Sequence, residues 1–146
     1  MDSISAVLFA CTLNAVRSPI AEAYLKYLHG HRVYVDSCGA RPEKVDGFAV
    51  SVMAELGIDV AGHRPKSFDE LEDGSFDLII SLSPEAQHRA VDMTRTMACD
   101  VEFWNVLDPG VVTGSRQSRL ETYRMIRDDL IRRIHERFPA GGHADV

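Results

Sequence analysis

The chain has 146 residues, 45% of them hydrophobic and 26% charged, which suits one compact domain with a single core and needs no second one. Its formal charge of −6 excludes the basic footprint of a generic nucleic-acid binder, so a small anion must be drawn by a local site. No apolar run approaches the roughly 18 residues of a membrane span, and Met-Asp-Ser-Ile-Ser lacks the basic and apolar segments of a secretory signal, so a cytoplasmic protein without membrane contact is expected.

In chain order, Ile4 to Ala10 reads as a buried strand, and Pro19 to Leu28 as a helix with Ile20, Ala23, Tyr24, Tyr27 and Leu28 on its apolar stripe, stopped at Gly30. His29 and His31 are expected to be solvated at that helix end. Arg32 to Ser37 is a second strand. A loop with Gly39 and Pro42 leads to a helix from Gly47 to Leu56 with Gly57 as its terminator, and His63-Arg-Pro65 breaks the chain. Ser67 to Glu72 reads as a short helix, and Phe76 to Leu82 as a third strand apolar enough to be central. Ser83-Pro84 caps a helix to about Arg95, and Val101 to Trp104 is a fourth strand. After Asp108-Pro109-Gly110, a long amphipathic helix spans Arg116 to Phe138 with Leu120, Tyr123, Ile126, Leu130, Ile134 and Phe138 as its seam. Its arginines are interleaved with Glu121, Asp128, Asp129 and Glu136, the pattern of a salt-bridged solvent face rather than a nucleic-acid patch. Alternating strands and helices imply an α/β domain over residues 1–139, a parallel sheet covered on both faces in three layers, with 140–146 a flexible tail.

The segment Cys11-Thr-Leu-Asn-Ala-Val-Arg17-Ser18-Pro19 joins the first strand to the first helix. A cysteine at the loop's start and an arginine six positions on can face one small anion, at the carboxyl end of a strand where open α/β sheets place ligands. Arg17 suits an oxyanion because a planar guanidinium pairs two oxygens at once. Successive inward N–H groups of residues 12–18 form an anion nest, and the helix start adds partial positive charge that also favours thiolate over thiol at Cys11. Ser18 is expected to cap the helix ahead of Pro19. The three cysteines, at 11, 38 and 99, are odd in number and form no Cys-x-x-Cys, so no disulfide framework and no structural zinc is indicated; neither metal nor cofactor is expected.

These landmarks, with Asp36-Ser37, Gly57-Ile-Asp, His63-Arg64, Phe76-Asp77-Leu78 and Asp108-Pro109 in order, make the chain resemble the low-molecular-weight protein-tyrosine-phosphatase family, which shares its fold with the thioredoxin-coupled arsenate reductases. The resemblance implies a four-stranded parallel sheet of order 2-1-3-4. It also implies phosphomonoester hydrolysis through a cysteinyl phosphate, with Cys11 as nucleophile, Arg17 and the loop Thr12, Leu13, Asn14, Ala15, Val16 and Ser18 binding the phosphoryl group, and Asp108 as general acid. Asn14, Ser18, Ser37 and His63 match the family's supporting polar network; physically, short Asn and Ser side chains suit the outward carbonyls of such a loop. The implied substrate is a phosphorylated small molecule or phosphoprotein.

Departures from the family pattern matter as much. Leu13 stands where the family usually has glycine, so a different backbone angle is expected if a positive φ was being used. Val16 replaces a second cysteine that can trap the oxidised nucleophile. Cys38-Gly-Ala-Arg-Pro-Glu-Lys-Val and Gly110-Val-Val carry none of the aromatic walls of phosphotyrosine-specific members. Two alternatives stay open: an arsenate reductase recruiting an external thiol, with Ser83 where a relay cysteine would fall and Cys38 a conceivable disulfide partner for Cys11, and a pseudo-phosphatase that binds phosphate or phosphoprotein without turnover.

Overall fold

The computed structural model describes residues 4–72 and 74–139; the expected tail at 140–146 lies outside them. Four strands, β1 (Ala6–Cys11), β2 (Tyr34–Gly39), β3 (Leu78–Ser81) and β4 (Asp100–Phe103), form one parallel sheet in the order β2-β1-β3-β4. Between and after them run α1 (Arg17–His29), α2 (Gly47–Ala54), α3 (Pro84–Met93) and α4 (Arg116–Arg137), with single 3-10 turns at Phe68–Glu70 and Pro109–Val111. Every residue of β1 and β3 is buried, which is why both read as unbroken apolar runs: central parallel strands are covered on both faces.

Strand alternation divides the core in two. Val7, Phe9, Cys11, Val35, Leu78 and Ile80 face α1, α2 and α4, whereas Ala6, Leu8, Ala10, Cys38 and Ile79 face α3 and the Phe68 turn. Of the expected α4 seam, Tyr123, Ile126, Leu130, Ile134 and Phe138 are buried, and Leu120 is half-buried at its start. Its polar side is laced by Arg124 with Glu121, Arg127 with Asp128, and Arg132 with Asp129 and Glu136. Among the described residues no helix is long and apolar enough to cross a membrane, and no cluster of three His, Cys, Asp or Glu side chains could hold a metal.

Several element ends differ from the sequence reading. The second strand starts at Tyr34 rather than Arg32, because the Arg32 and Val33 N–H groups donate to the His29 carbonyl and finish α1 instead. His29 itself is buried against the Phe138 carbonyl (Nε2 to O, 3.0 Å) rather than solvated. Gly30 keeps an ordinary right-handed φ of −61°, so no left-handed residue ends α1. Gly57 does end α2 that way, with φ +76° and the paired bonds Ile58 N to Met53 O and Gly57 N to Ala54 O. Ser83 caps α3 as read, accepting from the Ala86 N–H.

Candidate active site at the carboxyl ends of the strands

The register Cys11–Gly39 between β1 and β2, with Ala10 beside Ser81 of β3, brings the cradle, the loop after β2 and the end of β3 to one edge of the sheet. Cys11 ends β1 and Arg17 opens α1, so helix geometry starts earlier than Ser18-Pro19. Ser18 therefore caps nothing: Val16 sits at the cap position without a side-chain bond, and the Ser18 hydroxyl meets Cys11 Sγ, Asn14 Nδ2 and the Cys38 carbonyl instead. The backbone N–H groups of Leu13, Ala15, Val16, Arg17 and Ser18 donate to no protein atom among the described residues, which leaves them for an anion held in the loop.

Asn14 organises this loop. It is the one non-glycine residue with positive φ (53°) among those described, a conformation that asparagine tolerates better than other side chains. Leu13 thus needs no left-handed angle, and the strain expected from losing glycine there is absent. Both amide hydrogens of Asn14 are used, Nδ2 donating to Ser18 Oγ (2.8 Å) and Ser37 Oγ (2.9 Å). Its Oδ1 accepts from the Lys66 N–H (3.0 Å) and from His63 Nε2 (3.1 Å). Because Ser18 Oγ accepts from Asn14, its own proton is available to Cys11 Sγ at 2.9 Å; the Asn14 N–H donates to the same sulfur at 3.3 Å. The Ser18 proton has a second acceptor in the Cys38 carbonyl at 3.4 Å, so the Asn14 N–H is the donor whose direction is fixed on the sulfur.

The proton logic continues outward to a residue the sequence reading missed. Ser37 Oγ accepts from Asn14 and donates to Glu22 Oε1 at 2.5 Å, while Lys26 Nζ pairs with the other Glu22 oxygen at 2.5 Å. The signal was present: Glu22 follows Ser18 by four residues, placing an acid among apolar neighbours on the buried face of α1. His63 Nδ1 lies 3.8 Å from Glu22 Oε1. Burial holds His63 below its ordinary value of 6.5, outweighing the opposing pull of Glu22. A histidine depressed in the folded state contributes stability above its unfolded pKa and loses it as pH falls through the window below, because only the unfolded chain takes the proton there. Stability should therefore decline on acidification below about pH 6.5, and His63→Gln should flatten that part of a melting-temperature profile.

Outward carbonyls of the cradle are met chiefly by backbone, not by Asn and Ser side chains as the sequence suggested. The N–H groups of Ala40, Arg41, Glu43 and Asp46 donate to the carbonyls of Cys11, Thr12, Leu13 and Ala15 at 2.8–3.1 Å, and His63 Nε2 meets the Asn14 carbonyl at 3.2 Å. The loop after β2 is thus a brace lying along the cradle. Gly39 permits this approach: a Cβ there would fall 2.7 Å from the Asn14 N and 2.9 Å from the Asn14 Cβ. Gly39→Ala is expected to cost about 1–3 kcal/mol in a denaturant titration and to lower turnover, since the atoms that must move are the cradle's own backbone.

Arg17 is buried, and its Nη1 donates to the carbonyls of Leu82 and Val106, each at 3.2 Å. Its Nε and Nη2 have no protein acceptor among the described residues. Thr12 Oγ1 donates to Ser83 Oγ at 3.0 Å, so the serine at the relay position tethers the cradle to the end of β3. Asp108 is extended (φ −80°, ψ 115°), as the following Pro109 dictates, and its Oδ1 accepts from the Gly110 N–H at 2.8 Å. Cys11, Arg17 and Asp108 line one cavity of about 360 Å³, whose other walls include Leu13, Lys44 and Tyr123. Tyr123 donates to Asp46 Oδ2 (3.0 Å), and burial, reinforced by Asp46, pushes its hydroxyl up to about 12. Cys38 faces the opposite side of the sheet from Cys11, and Cys99 precedes β4 at the other end of the strands, so neither can close a disulfide on Cys11 without rebuilding the sheet.

The chain belongs to the low molecular weight phosphotyrosine protein phosphatase family, whose model it matches over residues 6–138. It is 29% identical over 128 residues to the glutaredoxin arsenate reductase of Synechocystis, covering 88% of this chain and 92% of that protein. Among solved structures it is similar to a protein tyrosine phosphatase, with 26% identity, a TM-score of 0.73 and 96% and 97% of the two chains covered. It is also similar to an arsenate reductase in a phosphate-binding state, with 26% identity, a TM-score of 0.70 and 91% and 95% covered.

Proposed function

We propose that the protein is a cysteine-dependent phosphomonoester hydrolase. The observation that carries this reading is the shared cavity of Cys11, Arg17 and Asp108, with unengaged N–H groups around it. Arg17, through the edge not tied to Leu82 and Val106, and the loop N–H groups hold the phosphoryl oxygens and stabilise charge on them in the transition state. Cys11 Sγ attacks phosphorus, the S–P bond forming as the P–O bond to the leaving group breaks. Asp108 gives that leaving oxygen its proton and then, as carboxylate, takes one from the water that hydrolyses the cysteinyl phosphate. Asn14, Ser18, Ser37 and His63 hold the loop and the thiolate in place. The substrate is a phosphorylated small molecule or phosphoprotein.

A second reading, arsenate reduction, is favoured by one observation: several relatives of similar identity are named arsenate reductases. In this chain it requires an external thiol. Cys11 would bond to arsenic, and two electrons from Cys11 and an incoming thiol would release arsenite and leave a mixed disulfide for a second thiol to reduce. Phosphate release from phenyl phosphate, run beside arsenite production with glutathione, glutaredoxin or thioredoxin supplied, separates the two. Hydrolysis without arsenite supports the phosphatase, arsenite without hydrolysis overturns it, and phosphate binding with neither leaves a pseudo-phosphatase.

A further inference from the structure

We infer that the mouth of this cavity is a subsite for a second anionic group on the leaving side of the substrate, recognised by Arg41 and Lys44. This rests on the reading of the cavity as a phosphoryl site and names the substrate class it takes: phosphomonoesters whose leaving group carries a carboxylate or another phosphate.

Arg41 and Lys44 both line the cavity and both stand on the brace. That placement is fixed relative to the cradle, because the brace is bonded to it at Ala40, Arg41, Glu43 and Asp46. Glu85, at the start of α3, holds the Arg41 guanidinium through Nε (3.3 Å) and Nη2 (3.1 Å), which orients the fork and leaves Nη1 uncommitted. Lys44 enters no ion pair among the described residues. A cation beside a ligand cavity and without a protein partner has its Coulomb interaction available to the ligand.

The acids in the same walls do not cancel this pair equally. Asp46 is engaged by the Phe48 N–H at 2.7 Å and by the Tyr123 hydroxyl. Asp108 is the proposed proton donor to the leaving oxygen. Glu43 is exposed, enters no ion pair among the described residues and acts on the Arg41 charge, so it weakens the subsite without occupying it. Nor does the mouth suit a bare aromatic leaving group. Among the described residues the one aromatic side chain lining it is Tyr123, which is buried against Phe48 with ring centres 5.0 Å apart, so no open ring face is offered for stacking.

The test is calorimetric and needs no turnover: binding of benzylphosphonate against its para- and meta-carboxy derivatives. In the wild-type protein at least one carboxylated ligand should bind about three- to ten-fold tighter, with the advantage shrinking as salt is raised. The advantage should disappear in Arg41→Ala/Lys44→Ala, survive in Lys44→Arg, and grow in Glu43→Gln; a purely structural role for these surface positions would not produce that sign pattern. Equal affinities in the wild type, or an advantage untouched by the double substitution, overturns the inference. Turnover of phenyl phosphate and of its para- and meta-carboxy derivatives is followed in parallel: hydrolysis with equal affinities removes the subsite alone, and a carboxylate advantage with none of the three esters hydrolysed keeps the subsite and removes the phosphatase reading.

Discussion

Cys11→Ser is expected to abolish phosphate release from phenyl phosphate, by on the order of 10⁴-fold or more, while the protein still folds and binds phosphate. The substitution is nearly isosteric, and a serine oxygen can still accept from the Asn14 N–H and meet Ser18 Oγ, so the loop keeps its shape. What is lost is nucleophilicity: sulfur attacks phosphorus far more readily than a neutral hydroxyl oxygen does. Unchanged turnover in Cys11→Ser would contradict the covalent mechanism outright.

Asp108→Ala is expected to lower turnover by about 10²–10³-fold, within the range a positioned general acid contributes. The size of the loss should depend on the leaving group. A para-nitrophenolate departs readily unprotonated and should lose least, whereas an alkyl phosphate, whose alkoxide needs the proton, should lose most. Because Asp108 also accepts from the Gly110 N–H, alanine removes a turn contact as well as an acid. Asp108→Asn separates the two roles: its carbonyl keeps the turn, so a loss as large as alanine's with the same leaving-group dependence assigns the effect to proton transfer. A uniform loss across leaving groups would mean that Asp108 only shapes the loop.

The parallel sheet was legible because buried parallel strands are written as continuous apolar runs, as in Ile4–Ala10 and Phe76–Leu82, with helices alternating between them, whereas its order β2-β1-β3-β4 came only from the family resemblance. That Cys11 and Arg17 share one cavity was legible for a related reason, since they lie on one short loop whose ends are fixed by a strand and a helix. Contacts that depend on register were not. That Gly39 lies beside Cys11, and that residues 40–46 then satisfy the cradle's carbonyls one after another, follows from pairing between strands more than 20 residues apart, which no local pattern encodes. The local errors have local causes. The Ser18-Pro19 pair looked like a helix start because serine and proline favour those positions, but the Ser18 hydroxyl is drawn to sulfur and Asn14 instead. His29 looked solvated beside Gly30, yet its ring reaches the end of α4, 109 residues away. Glu22 was hidden because an acid on an apolar stripe is ambiguous until its partners, Ser37, Lys26 and His63, are known.

The measurement that bears most directly on the central claim is a rapid acid quench of the protein mixed with a fast-leaving aryl phosphate, followed by phosphorus NMR and peptide mass mapping. The account predicts a thiophosphate resonance and one added phosphoryl group on the peptide carrying Cys11, formed in a burst with the phenol and absent in Cys11→Ser. Phenol release with no phosphoryl group on Cys11 at any time would contradict it.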